Sequence, residues 1–376
     1  MKQRERRGLL LAFLVFGVYW GAWSAAIPAI RRQADVSDGE LGLALAAIAL
    51  AAVPSMAVAG RVIDRYGPRW SIPAATVLFG LVVPLPSLAH GLGALVAGLL
   101  AVGAMTGFLD LLINAETAAW ERLEDDKLMS YAHAAFSFGV LGGSIVAGVA
   151  RDGGASPFRI QLVVGAVIVV VGLTQPAYRK AEGEASEKRG RLPLLLLAVG
   201  LLTAIGYLCE DAIQTWSSLQ LERGLDATPA VSGLGPGLFA GSMAVGRLAG
   251  GPLSKRFREA PLLSGAGLVL AVGAFVLALA GTPAVALVGL VIAGAGTSII
   301  APVLISYVGA HSAPGRQGAD LAAVAGVGYA GFVAGPPVVG AVSAATSLPF
   351  ALGCLGGLGI LLAITGPLLL SGKMSS

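Results

Sequence analysis

Between two apolar runs, residues 39–60 and 70–89, the chain reads Gly60-Arg-Val-Ile-Asp64-Arg65-Tyr-Gly67-Pro-Arg69. A run of about 20 apolar residues is what an α-helix needs to cross the hydrocarbon core of a bilayer. The stretch between the two is short and charged. It can only turn the chain at a membrane surface and send it back. Gly67 supplies a backbone conformation closed to most residues, and the three arginines put positive charge on one side of the membrane.

The same alternation runs outward in both directions. Apolar spans are expected near 8–30, 39–60, 70–89, 92–118, 129–150 and 158–178. Six more follow near 192–220, 228–250, 261–280, 284–309, 319–343 and 349–371. A turn at His90-Gly91 must separate the third span from the fourth. The first span is too long for a cleaved signal peptide and reads as a retained helix. Composition agrees: 56% of the 376 residues are hydrophobic and only 12% charged, against about 25% charged in an average soluble domain. A soluble fold could not hide that much apolar surface. Gly is also abundant, at 54 residues. In lipid it lets helix backbones approach closely, although a GC-rich genome would also raise it.

An even number of spans puts both termini on one side. Assigning loops alternately places 20 of the 25 basic residues on the side of the termini. These include Arg61, Arg65, Arg69, Arg179, Lys180, Lys188, Arg189 and Arg191, with Arg247 grouped with Lys255, Arg256 and Arg258 on that side. Arg31, Arg32, Arg151, Arg159 and Arg223 fall on the other side. The bias makes the termini cytoplasmic. The long polar connection Tyr178–Arg191 divides the chain into a first half, 1–178, a linker, 179–191, and a second half, 192–376. The expected fold is an all-α membrane protein of 12 transmembrane helices in two pseudo-symmetric six-helix halves, the layout of a transporter built from parallel repeats.

The loop at 60–69 resembles the conserved loop motif of the major facilitator superfamily, G-x-x-x-D-R-x-G-x-R, at every fixed position. The resemblance extends over nearly the whole chain. Gly17, Trp20, Trp23 and Pro28 of the first span look like a bacterial inner-membrane branch distantly related to fucose permeases. Asp110, Asn114, Glu121, His133, Ser137, Gly139 and Gly143 in the fourth and fifth spans, and Gly328, Tyr329, Gly331, Gly335, Pro336 and Pro337 in the eleventh, fit the same set. The resemblance implies a conformational latch built from Gly60, Asp64, Arg65, Gly67 and Arg69. In it, Asp64 caps the eleventh helix of the facing half, and Glu116 or Glu121 pairs with Arg69. An acid at a helix N-terminus meets unpaired N–H groups and a favourable dipole. Gly60 would permit tight helix contact. The alternative is an ordinary positively charged loop, which leaves Asp64 and the glycines unexplained. The matching loop of the second half, Gly250-Gly-Pro-Leu-Ser-Lys255-Arg256-Phe, keeps a Gly and the basic pair but has no acid.

Charges inside a span are expensive and mark function or a structural pair. Asp110 and Asn114 are four apart and share a helix face. On the seventh span, Tyr207, Glu210, Gln214 and Ser217 form a polar stripe at helical spacing, with Trp216 close by and Asp211 expected to point elsewhere. By the resemblance, the first, fourth, seventh and tenth helices line the central cavity, so Glu210, Asp110, Asn114, Tyr207, Gln214, Trp216, Trp20 and Trp23 are the candidate substrate and proton site. For each carboxylate a helix–helix bond that only holds the bundle is the competing reading. The tryptophans could equally face lipid or other helices. His133 reads as structural.

No Walker A sequence, metal-ligand spacing or nucleophile–base pair occurs, so neither ATP, a metal, a cofactor nor an enzymatic role is expected. The longest polar loop is far too short to be a sensor's output domain. The basic residues lie in short runs and form no nucleic-acid face. The expected partners are a small-molecule substrate, protons and the lipid bilayer, with the chain acting as a monomer. The expected function is secondary active transport by alternating access, as proton-linked movement of a sugar-like or other polar metabolite. Proton-driven export of a drug or secondary metabolite, favoured by a pore poor in Arg and rich in Ala, Val and Leu, is the alternative.

Overall fold

A computed structural model describes residues 2–124, 128–178, 194–312 and 316–371. It is helical throughout: α1 (Lys2–Ala34), α2 (Asp38–Tyr66), α3 (Pro68–Val82), α4 (Leu92–Glu124), α5 (Leu128–Asp152), α6 (Pro157–Thr174), α7 (Leu194–Leu219), α8 (Pro229–Arg256), α9 (Glu259–Ala278), α10 (Pro283–His311), α11 (Gln317–Ala345) and α12 (Leu348–Ser371). All twelve expected spans are helices. Several run past the apolar run by a turn or more, because charged residues continue a helix once it leaves the hydrocarbon. Eleven helices among the described residues are long and apolar enough to cross a membrane. The exception, α8, has the length but is diluted by glycines, prolines and Arg247.

The turns follow local chemistry. Ser37 caps α2 in a reciprocal box with Glu40, each side chain bonded to the other's backbone N–H. Gly67, at φ 71°, ends α2 and places Pro68 in the first turn of α3, where its missing N–H costs nothing. The break expected at His90-Gly91 is wider: after Val82 a single 3-10 turn covers Leu85–Leu88, and Gly91 sits at φ 143°.

The chain forms two compact units, Met1–Gly183 with Ala227–Gly237, and Glu184–Asp226 with Leu238–Ser376. The expected linker, 179–191, lies outside the described residues. In the first unit α1 packs on α5, α2 on α4 and α3 on α6. In the second, α7 packs on α11 and α9 on α12. There, too, Ser242 of α8 donates to the Val291 carbonyl of α10 at 2.6 Å. The pairing of first with fifth, second with fourth and third with sixth therefore recurs, and the repeat is carried by packing where the sequences have drifted apart.

Small residues make these pairs possible. Along α1 and α5, a Cβ added at Gly17 would meet the Phe136 carbonyl, one at Gly139 the Leu14 carbonyl and one at Gly143 the Val18 carbonyl. The backbones are in direct contact, as dispersion-driven packing in lipid requires.

Candidate functional site

The polar stripe of α7 lies in the second unit. Tyr207, Glu210, Asp211 and Gln214 are all half-buried, which places them on one partly open face. Ser217 and Trp216 are not on it: both are fully buried, and Ser217 donates to the Gln214 carbonyl at 3.4 Å. The face is thus one turn shorter than the sequence suggested. Asp211 does not point elsewhere. It lies close enough to Glu210 for the two charges to interact, and the Thr215 side chain hydrogen-bonds it. Tyr207 stacks on Phe332 of α11 with ring centroids 4.4 Å apart, and Tyr329 meets Phe332 edge-on at 5.6 Å. The Nε2 of Gln214 is buried with no hydrogen-bond partner.

Arg247, grouped with the cytoplasmic-side charges, belongs to no loop. It lies inside α8, and its Nη2 sits 3.1 Å from Glu210 Oε1. The side chains are 30% and 21% exposed, respectively. Glu210 is therefore not a carboxylate without a cation. The signal was present: Arg247 is the lone charged residue between Pro229 and Ser254. It stands three residues before the expected end of the eighth span, 228–250, where it reads as one of the cytoplasmic-side charges. The pairing has a physical motive, since two opposite charges inside a span offset each other's cost of leaving water.

In the first unit, Asn114 donates to both the carbonyl and the Oδ1 of Asp110, each at 2.9 Å. The two share a half-buried face of α4, as their spacing predicted. The aromatic wall of α1 is divided. Trp23 is 2% exposed and stacks against Tyr19, so it belongs to the core. Trp20 is half-buried and meets Tyr19 edge-on at 5.2 Å. A second arginine used inside the bundle is Arg151. It is 7% exposed and its Nη1 donates to the Ala25 carbonyl of α1 at 2.6 Å. It stands one residue past the expected fifth span, 129–150, where the sequence offers no sign of this contact.

At the loop 60–69, Gly67 makes the expected turn, and its carbonyl accepts from Ser71 Oγ at 2.6 Å. Gly60 does not serve close packing: a Cβ there would meet nothing within 4 Å. Arg65 lies over the Tyr66 ring at 5.4 Å and Arg69 over Trp70 at 5.5 Å. Glu121 is engaged by the Met129 backbone N–H at 2.7 Å, and Glu116 is buried. The described residues show neither acid against Arg69. In the second half Arg256 lies over Phe257 in the same manner, at 5.8 Å. Such amphipathic cation–aromatic pairs suit the membrane–water boundary.

The family profile of the Major Facilitator Superfamily matches residues 8–290 and 199–373. The chain belongs to the Major Facilitator Superfamily. Two relatives are similar over most of their length. An uncharacterised MFS-type transporter of Yersinia pestis is 26% identical over 357 residues, covering 92% of this chain and 90% of the relative. Membrane protein MosC of Rhizobium meliloti is 26% identical over 359 residues, covering 93% and 86%. Among solved structures, the nucleoside transporter NupG superposes with a TM-score of 0.76 at 14% identity, over 98% of this chain and 99% of its own. A D-xylose–proton symporter does so with 0.71 at 16% identity, over 96% and 97%. These two share the fold. As a superfamily member the chain is an integral membrane transporter of small molecules and not an enzyme.

Proposed function

We propose that this superfamily member couples proton movement to the transport of a polar, hydroxylated metabolite, and that Glu210 and Arg247 carry the coupling. The observation that supports it is the 3.1 Å ion pair on the partly open face of α7, beside Asp211 and Gln214. A carboxylate held by a guanidinium stays charged while the pair is closed. A proton on Glu210 cancels the pair and frees Arg247, whose five N–H donors then seek acceptors. Sugar hydroxyls and carbonyl oxygens are such acceptors. Gln214 offers a further donor, and the stacked Tyr207–Phe332 rings offer a flat face for a sugar or a base. Two proteins of the same fold carry, by name, a nucleoside and D-xylose with a proton, and both cargoes contain a hydroxylated pentose. The paired arginine weighs against export of a purely apolar compound, while the aromatic cluster keeps an aromatic drug or secondary metabolite as the second reading. Uptake of radiolabelled pentoses, hexoses and nucleosides into proteoliposomes, with and without an imposed pH gradient, decides between them. Accumulation of a sugar or nucleoside that collapses without the gradient is expected. Proton-driven movement of antibiotics alone would favour the second reading.

The membrane is proposed to be the bacterial inner membrane, with both termini cytoplasmic. The supporting fact is the concentration of basic residues in the loops on that side. Reporter fusions at Ser376 are expected to be active only as cytoplasmic reporters. Periplasmic activity would reverse the orientation.

The loop 60–69 is proposed to act as the latch of the outward-open state, with Asp64 as its charged element. The family motif and the exposed position of Asp64 beside the Gly67 turn support this. Asp64→Asn should then raise labelling of cysteines placed at the cytoplasmic ends of α5 and α11. Unchanged labelling would reduce Asp64 to a loop residue.

A further inference from the structure

At the end of the first unit where α1 begins and α6 stops, a cavity of about 330 Å³ is lined by Arg4, Arg7, Leu11, Val171, Thr174 and Gln175. We propose that this cavity binds the phosphodiester headgroup of an anionic phospholipid.

The residues are arranged for an amphiphile. Arg4, Arg7 and Leu11 fall at i, i+3 and i+7 and share one face of α1. Their neighbours turn away: Glu5 is buried, and Arg6 lies over the Tyr131 ring at 5.4 Å. Arg4 and Arg7 are exposed and make no ion pair among the described residues. Two guanidinium groups one turn apart match a phosphate, which accepts bidentate hydrogen bonds. Gln175 contributes a further donor. Its Oε1 faces Thr76 Oγ1 at 3.5 Å, and its Nε2 is buried with no partner, a cost that an acceptor in the cavity removes.

Depth in the membrane distinguishes a lipid from a free anion. α6 has 18 residues and spans about 27 Å, roughly the hydrocarbon thickness. Thr174 and Gln175 therefore sit where hydrocarbon meets headgroups. α1 has 33 residues and overshoots the core, which carries Arg4 and Arg7 into the headgroup layer. Below the arginines the lining becomes apolar. Leu11 and Val171 line it there, and Val163, Val167 and Val170, deeper along α6, are exposed. An acyl chain can lie along these side chains with its phosphate at the arginines, as basic pockets between transmembrane helices hold anionic lipids. Gly8 keeps the cavity's inner wall tight, since a Cβ there would come 2.7 Å from Pro176 Cδ.

The test is native mass spectrometry of the full-length protein. It is released from detergent in the presence of equimolar phosphatidylglycerol and phosphatidylcholine with the same acyl chains. The wild type is expected to retain phosphatidylglycerol in preference, on the order of tenfold. Arg4→Gln/Arg7→Gln should bring the ratio close to one, and Gln175→Leu should lower it. The charge-matched control Arg256→Gln/Arg258→Gln should keep it. Retention of the preference in the Arg4/Arg7 variant overturns the proposal. So does an equal loss in the control, which would leave only unspecific surface charge. Inorganic phosphate and sn-glycerol 1-phosphate at millimolar concentration separate the sources. Neither should displace the lipid, and displacement by either would make this a site for a soluble anion.

Discussion

Glu210→Gln is expected to abolish pH-driven accumulation while leaving substrate exchange intact. With one proton moved per substrate, a gradient of one pH unit sustains an accumulation of roughly tenfold. The amide keeps the shape and a hydrogen-bond acceptor for Arg247 but cannot exchange a proton, so accumulation should fall to the equilibrium ratio. Exchange of labelled for unlabelled substrate requires no net proton movement and should persist. Removing one charge of a pair inside a span leaves the other uncompensated, so the single variant risks poor folding. Glu210→Gln/Arg247→Gln removes both charges and should fold if the single variant does not. It gives the same coupling readout if proton release at Glu210 drives accumulation. Asp110→Asn is the comparison, because Asp110 is already engaged by Asn114. If Glu210→Gln accumulates substrate as the parent does and Asp110→Asn does not, the proton site is on α4. If both accumulate normally, neither acid carries the proton, and a uniporter or another coupling ion becomes the better account.

The second large effect concerns the α1–α5 seam. Gly143→Ala should lower the melting temperature of the purified protein, while its neighbour Gly142→Ala should leave it unchanged or raise it. A Cβ at Gly143 would collide with the Val18 backbone, whereas one at Gly142 meets nothing within 4 Å. Overpacking a seam of this kind costs about 1–3 kcal/mol, or several degrees at about 2–4 °C per kcal/mol for a unit of this size. Removing a glycine from an exposed helix position recovers up to about 1 kcal/mol of helix propensity. Equal melting temperatures for the two variants would mean that α1 and α5 can separate slightly without penalty, and that their close packing is not a source of stability.

Gly142 and Gly143 are neighbours with opposite surroundings, and they show where sequence reading stops. The twelve spans, the turn at Gly67 and the repeat of six helices were legible because each depends on local properties: runs of apolar residues, the conformational freedom of one glycine, and the placement of charge between spans. The loop 60–69 also carried enough fixed positions to point to the superfamily. What the local pattern does not contain is which helix faces which. Glu210 and Arg247 lie 37 residues apart and meet across α7 and α8, and only the tertiary structure reveals the glutamate's cation. The burial of Trp23 and Trp216, the open position of Gly60 and the engagement of Glu121 by the start of α5 were decided in the same way. Helical periodicity fixes which side chains share a face, but the neighbouring helix decides whether that face meets protein, lipid or a charge of opposite sign.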